Sequence, residues 1–179
     1  MRTAITVALM TAGLMAGPAA LAADKPNTVP KETCTAKAPP PAEMASWSAP
    51  DARAAATEEA GIGRAALIPG KAVTARFAPV AEVHYRVPPE KADGPATYGG
   101  LYSLKIVEAG TYRIASSAAP WMDVFVAKDP VRSTAHGHGP ACTGIGKMVD
   151  FPLQPGDYLV QFSESLQPAA EIMVVKLAK

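Results

Sequence analysis

His136 and His138 are separated by one glycine in the segment Ser133-Thr-Ala-His136-Gly-His138-Gly-Pro-Ala-Cys142, and with His84 they are the chain's three histidines. Alternate residues of an extended segment project to the same side, so this spacing can present two imidazoles to one transition metal. Iron, copper and zinc are ions that such nitrogen donors suit. A third donor would have to converge from elsewhere, the candidates being His84, Asp150 and a Cys142 thiolate. The opposing reading makes His136-Gly-His138-Gly-Pro a Gly-rich turn that leads into a disulfide-bonded Cys142.

Cys34 and Cys142 are the chain's two cysteines. An even pair in an exported chain is expected to pair with itself, because the compartment is oxidising. That bridge closes a loop of about 108 residues, worth up to ~4–5 kcal/mol by the chain-entropy model. Ser116, Ser117, His84 and Asp123 are the residue types of a hydrolase triad, but no nucleophile elbow surrounds either serine. Neither a phosphate-binding loop nor a dinucleotide fingerprint is present.

The elements that must position these residues are strands. Segments rich in β-branched and aromatic residues recur between turn signals at 72–77, 82–87, 100–107, 110–116, 121–127, 147–153, 156–163 and 171–177. Tyr102, Leu104 and Ile106 alternate with Ser103 and Lys105; Met122, Val124 and Val126 share a face, as do Tyr158, Val160 and Phe162. Period-two segments at this spacing predict an all-β fold, an antiparallel Greek-key or jelly-roll-like sandwich. Glu108-Ala-Gly-Thr111 predicts a hairpin between its flanking strands, and Gln154-Pro-Gly-Asp157 an equivalent turn before Tyr158. The Ala-rich residues 51–66 read as irregular or extended, since an alanine face buries little area.

Upstream of the sandwich the composition changes twice. Residues 23–50 carry six prolines, including Pro39-Pro40-Pro41, and form an arm that cannot build a core of its own. Trp47 is its one large apolar residue and is expected to plug into the domain. Residues 1–22 have the three parts of a secretory signal: Arg2, the apolar run Ala4 to Met15, and Ala20-Leu21-Ala22. The expected organisation is a signal peptide at 1–22, a Pro-rich arm at 23–50 and a β-sandwich at 51–179.

Cleavage before Ala23 would place the mature chain in the periplasm or outside the cell. It would remove Arg2 alone among the charged residues, so the 17 basic groups fall to 16 against 16 acidic ones. A balanced charge gives no electrostatic reason to bind nucleic acid. No later segment has the ~20 apolar residues of a transmembrane helix.

Two resemblances rest on these residues. The run Tyr102-Ser-Leu-Lys-Ile-Val-Glu-Ala-Gly-Thr-Tyr112-Arg, then Trp121-Met-Asp-Val-Phe-Val126 and Leu153-Gln-Pro-Gly-Asp-Tyr158, resembles bacterial pre-peptidase C-terminal domains. That resemblance implies a jelly-roll-like sandwich on a secreted protein, without catalytic activity of its own. The segment 133–152, from Ser133 through the two histidines to Pro152, resembles short exported bacterial proteins that carry the label homogentisate 1,2-dioxygenase.

The second label implies a cupin-type enzyme whose iron is held by two histidines and a carboxylate. A cupin places that glutamate after three or four intervening residues, where this chain has Cys142 and Thr143, and no histidine follows His138. The expected function is therefore a non-catalytic binding or structural module with a ligand or protein partner of unknown identity. The favoured surface is the loop Thr134 to Lys147. The alternatives are a metal-dependent oxidoreductase of the homogentisate dioxygenase type, or a periplasmic metal carrier, both using His136 and His138.

Overall fold

Segments rich in β-branched and aromatic residues on the C-terminal two-thirds of the chain form strands, and the central ones are buried on both faces. The structure is a computed structural model describing residues 33–89 and 97–178. The expected signal peptide and the first part of the arm lie outside the described residues. The strands are β1 (Asp51–Ala54), β2 (Ala66–Leu67), β3 (Ala72–Arg76), β4 (Ala78–Pro79), β5 (Tyr98–Ile106), β6 (Gly110–Ser116), β7 (Trp121–Val126), β8 (Asp129–Pro130), β9 (Ala135–Gly137), β10 (Lys147–Leu153), β11 (Gly156–Ser165) and β12 (Ala169–Lys176). They form two sheets, ordered β1-β3-β12-β6-β10-β9 and β2-β5-β11-β7-β8, with β4 paired to β5. The protein is an all-β sandwich.

Between the sheets lie Tyr102, Leu104 and Ile106 of β5, Tyr158, Val160 and Phe162 of β11, and Met122 and Val124 of β7. They meet Val73 of β3, Ile114 of β6, Val149, Phe151 and Leu153 of β10, and Ile172 and Val174 of β12. Phe162 packs edge-on against Tyr102, with ring centroids 5.6 Å apart, an arrangement that adds to burial alone.

The sequence expectation is corrected at three places. The connection Glu108 to Thr111 does not close a hairpin, because β5 and β6 belong to different sheets. It arches from one sheet to the other, and Gln154–Asp157 does the same between β10 and β11. The arches lie side by side, since Gly156 pairs with Ile106 and Leu153 with Gly110. A two-stranded ribbon thus folds over from sheet to sheet, as in a jelly roll.

The sheets are also not wholly antiparallel: β1 runs parallel to β3, and β2 parallel to β5. Finally, 82–87 is not a strand. Gln161 of β11 accepts from the Arg86 backbone N–H at 2.8 Å and donates to the Val87 carbonyl at 3.1 Å. Tyr85 donates to the Phe162 carbonyl at 3.0 Å. Side chains thus hold the segment where a ladder would otherwise be needed.

The arm adds a third layer. Its 3-10 segment Ala42–Ser48 buries Met44 and Trp47 against Ala72, Ala115, Met173 and Val175 on the outer face of the first sheet, with Ile145. Ser46 locks the contact, its hydroxyl donating to the Gly70 carbonyl and accepting from the Ala72 N–H. Cys34 is bonded to Cys142, with Cα atoms 5.5 Å apart, and the Ala38 N–H donates to the Cys142 carbonyl at 2.8 Å.

Candidate functional site

Edge strand β9 carries the first of the paired histidines. It is short because glycines flank His138 and Pro140 follows, so only Ala135–Gly137 joins β10. His136 stands opposite Val149, which faces the core. Its exposed ring is thereby brought to the opening between the two sheets. There it lines a cleft of about 190 Å³ with Trp121 and Met122 of β7, Ser133, and Lys147 and Val149 of β10.

Trp121 begins β7 and is 50 % exposed, unlike the buried Trp47. Its indole N–H donates to Asp123 at 3.1 Å. The Lys147 ammonium lies 5.5 Å from the indole centroid, within cation–π range, and donates to the Pro120 carbonyl at 2.6 Å. Burial pulls the Lys147 pKa below the ordinary lysine value, while the carboxylates of Glu164 and Asp123 act the other way. Chemically, the cleft offers an aromatic face, an apolar floor of Met122 and Val149, and polar groups from Ser133, His136 and Lys147.

Downstream of His136 the chain is not a loose turn. The His138 Nδ1 donates to the Gly146 carbonyl at 2.8 Å, because a carbonyl can only accept. The Gly146 N–H in turn donates to the Ser116 carbonyl. Thr143, almost fully buried, donates to the Pro140 carbonyl at 2.7 Å and accepts from the Ile145 N–H. Gly144 has φ +79° and a Cβ placed there would face Lys37 of the arm.

The other candidate donors lie elsewhere. Asp150 holds Arg113 across the β10–β6 pair through two bonds, at 2.7 and 2.8 Å, and this partner raises the Arg113 pKa. Cys142 is in the disulfide. His84 sits in the segment laid over the second sheet, its backbone N–H donating to the Thr57 carbonyl. Among the described residues, no group of three His, Cys, Asp or Glu side chains is assembled that could hold a metal. Ser116 is buried and its hydroxyl accepts from the Ala118 N–H, while the Ser117 hydroxyl accepts from the Glu171 N–H.

Sequence reasoning missed Trp121 and Lys147 as a pair. Nothing in the sequence marks Trp121 as exposed, and only the arrangement of β7 against the start of β10 sets its ring under an ammonium. A scan of family models finds no match to this chain, and a search of curated proteins finds none either.

Proposed function

We propose that the chain is an exported, non-catalytic β-sandwich module that binds its ligand at the Trp121–His136–Lys147 cleft. The observation that carries this reading is the half-exposed indole capped by an ammonium above an apolar floor. Aromatic faces and cations placed in this way are recognition groups. At about 190 Å³ the cleft is smaller than the ~300–1,000 Å³ pockets that enclose a whole small molecule. It suits one ring or one end of a larger ligand.

Export is supported by Arg2, the apolar run and Ala20-Leu21-Ala22, and by a disulfide suited to an oxidising compartment. The donor set does not fit the iron of a dioxygenase of the homogentisate type, since Asp150 is engaged by Arg113 and Cys142 by Cys34. One observation favours a second reading, a periplasmic carrier of copper or zinc. With Nδ1–H bound to a carbonyl, the exposed His138 ring keeps its Nε2 lone pair for a ligand.

Protein recovered from its native compartment tests these readings by intact mass and metal analysis. The expected outcome is a chain beginning at Ala23 with no stoichiometric metal. One copper or zinc per chain, lost in His136→Ala and His138→Ala, would replace the module with the carrier. Iron at one per chain would favour the oxidoreductase, and a chain retaining residues 1–22 would refute the export step.

A further inference from the structure

The opposite side of the sandwich carries a second opening, built by the Ala-rich stretch. Here the chain leaves β1 at the edge of the first sheet, bridges to β5 through Ala56 and Leu101, turns through the 3-10 segment Glu59–Arg64 and enters β2 at the edge of the second sheet. The crossing lines a half-open crevice of about 450 Å³. Its walls are largely alanines, Ala52, Ala54, Ala55, Ala56 and Ala65. Small side chains explain the space: they bury little area, but they leave room where larger ones would close the gap.

Two arginines line this crevice, Arg53 and Arg64, with Glu58 as its acid. Neither arginine side chain makes a hydrogen bond or ion pair with another described residue. The Arg53 Nε is buried with no hydrogen-bond partner, alone among buried side-chain nitrogens and oxygens of the described residues. Leaving a buried donor unsatisfied costs roughly 1–3 kcal/mol, and more on a charged group. Arg53 also lines a smaller adjoining hollow with Asp51 and Lys71. Counting both hollows, Arg53, Arg64 and Lys71 outnumber Asp51 and Glu58, so the region is net cationic.

We propose that this crevice is a binding site for an oxyanion, a carboxylate or phosphate group, held by Arg53 and Arg64. Guanidinium groups match such groups in paired N–H···O geometry, and both arginines line the crevice. The buried Tyr102 hydroxyl lies 3.5 Å from the Arg53 carbonyl. Burial raises its pKa above the ordinary phenol value, against the pull of the Arg53 charge, so it adds no competing anion. A volume of about 450 Å³ falls in the range of small-molecule pockets, leaving space beyond the anionic group for a small apolar body against the alanines. The site is independent of the Trp121 cleft, which lies at the other lateral edge.

The test is titration of the disulfide-intact protein with sodium succinate and, separately, sodium phosphate, followed by backbone amide NMR, with sodium chloride at matched ionic strength as control. Saturable shifts are expected at residues 52–58, 61 and 65, with millimolar or tighter affinity and no saturation by chloride. Tighter binding of succinate identifies a carboxylate ligand, and tighter binding of phosphate a phosphoryl one. Arg53→Lys keeps the charge but loses the paired donors, and Arg64→Gln alters an exposed residue that the fold does not need. Each should weaken binding about tenfold, about 1.4 kcal/mol. No saturable shift with either anion, an affinity unchanged in Arg64→Gln, or shifts confined to Trp121 and Lys147 would overturn the proposal.

Discussion

Tyr112 and Tyr158 occupy the same place in two different arches, and their hydroxyls make them equivalent. Tyr112 donates to the carbonyl of Glu108 at 2.9 Å and Tyr158 to that of Gln154 at 2.9 Å, each reaching back four residues. Tyr158 also accepts from the Gln154 N–H at 3.0 Å. This is the tyrosine-corner device that pins a chain where it leaves one sheet for another. Tyr158→Phe keeps the buried ring and removes both bonds, so urea unfolding should show a loss of about 1 kcal/mol; unchanged stability would mean that the corner does not hold the arch. The echo between Glu108-Ala-Gly-Thr-Tyr112 and Gln154-Pro-Gly-Asp-Tyr158 was visible in the sequence, but its purpose was not. Gln161 was less legible still. A polar residue on a strand's outer face reads as solvated, and only the fold puts the segment 83–87 over it.

Among the elements, strands were legible wherever apolar residues alternate, because one face of β5, β7 or β11 must be buried. Sheet membership was not, since the turn chemistry at Glu108–Thr111 is the same whether the chain doubles back or arches across. The arm could be read as lacking a core of its own, and Trp47 as its anchor, and the structure sets Trp47 at 2 % exposure against the first sheet. What alternation could not give is the mixed polarity at the edges, where β1 and β2 are too short to carry a pattern. The Cys34–Cys142 bridge joins this arm to the loop that follows His138 across 108 residues. Thiol titration of unfolded, unreduced protein should therefore find no free thiol, and reduction should cost up to ~4–5 kcal/mol in urea unfolding. Two free thiols per chain would contradict the bridge and restore Cys142 as a metal ligand.

For the whole molecule, the two lateral openings of the sandwich have different chemistry. One presents Trp121, His136 and Lys147 between β7 and β10, and the other presents Arg53 and Arg64 between β1 and β2. The His-Gly-His spacing pointed to the first opening but not to its aromatic wall, and the alanines gave no sign of the second. The central claim is that the first opening binds and does not catalyse. It is tested most directly by oxygen uptake of the purified protein with homogentisate and iron(II). An oxygenase of that type needs three protein donors on iron, and Asp150 and Cys142 are held by Arg113 and Cys34. The account predicts uptake no faster than that of iron(II) and homogentisate without protein. Robust turnover, abolished by both His136→Ala and His138→Ala, would contradict it and make the loop after β9 an active site.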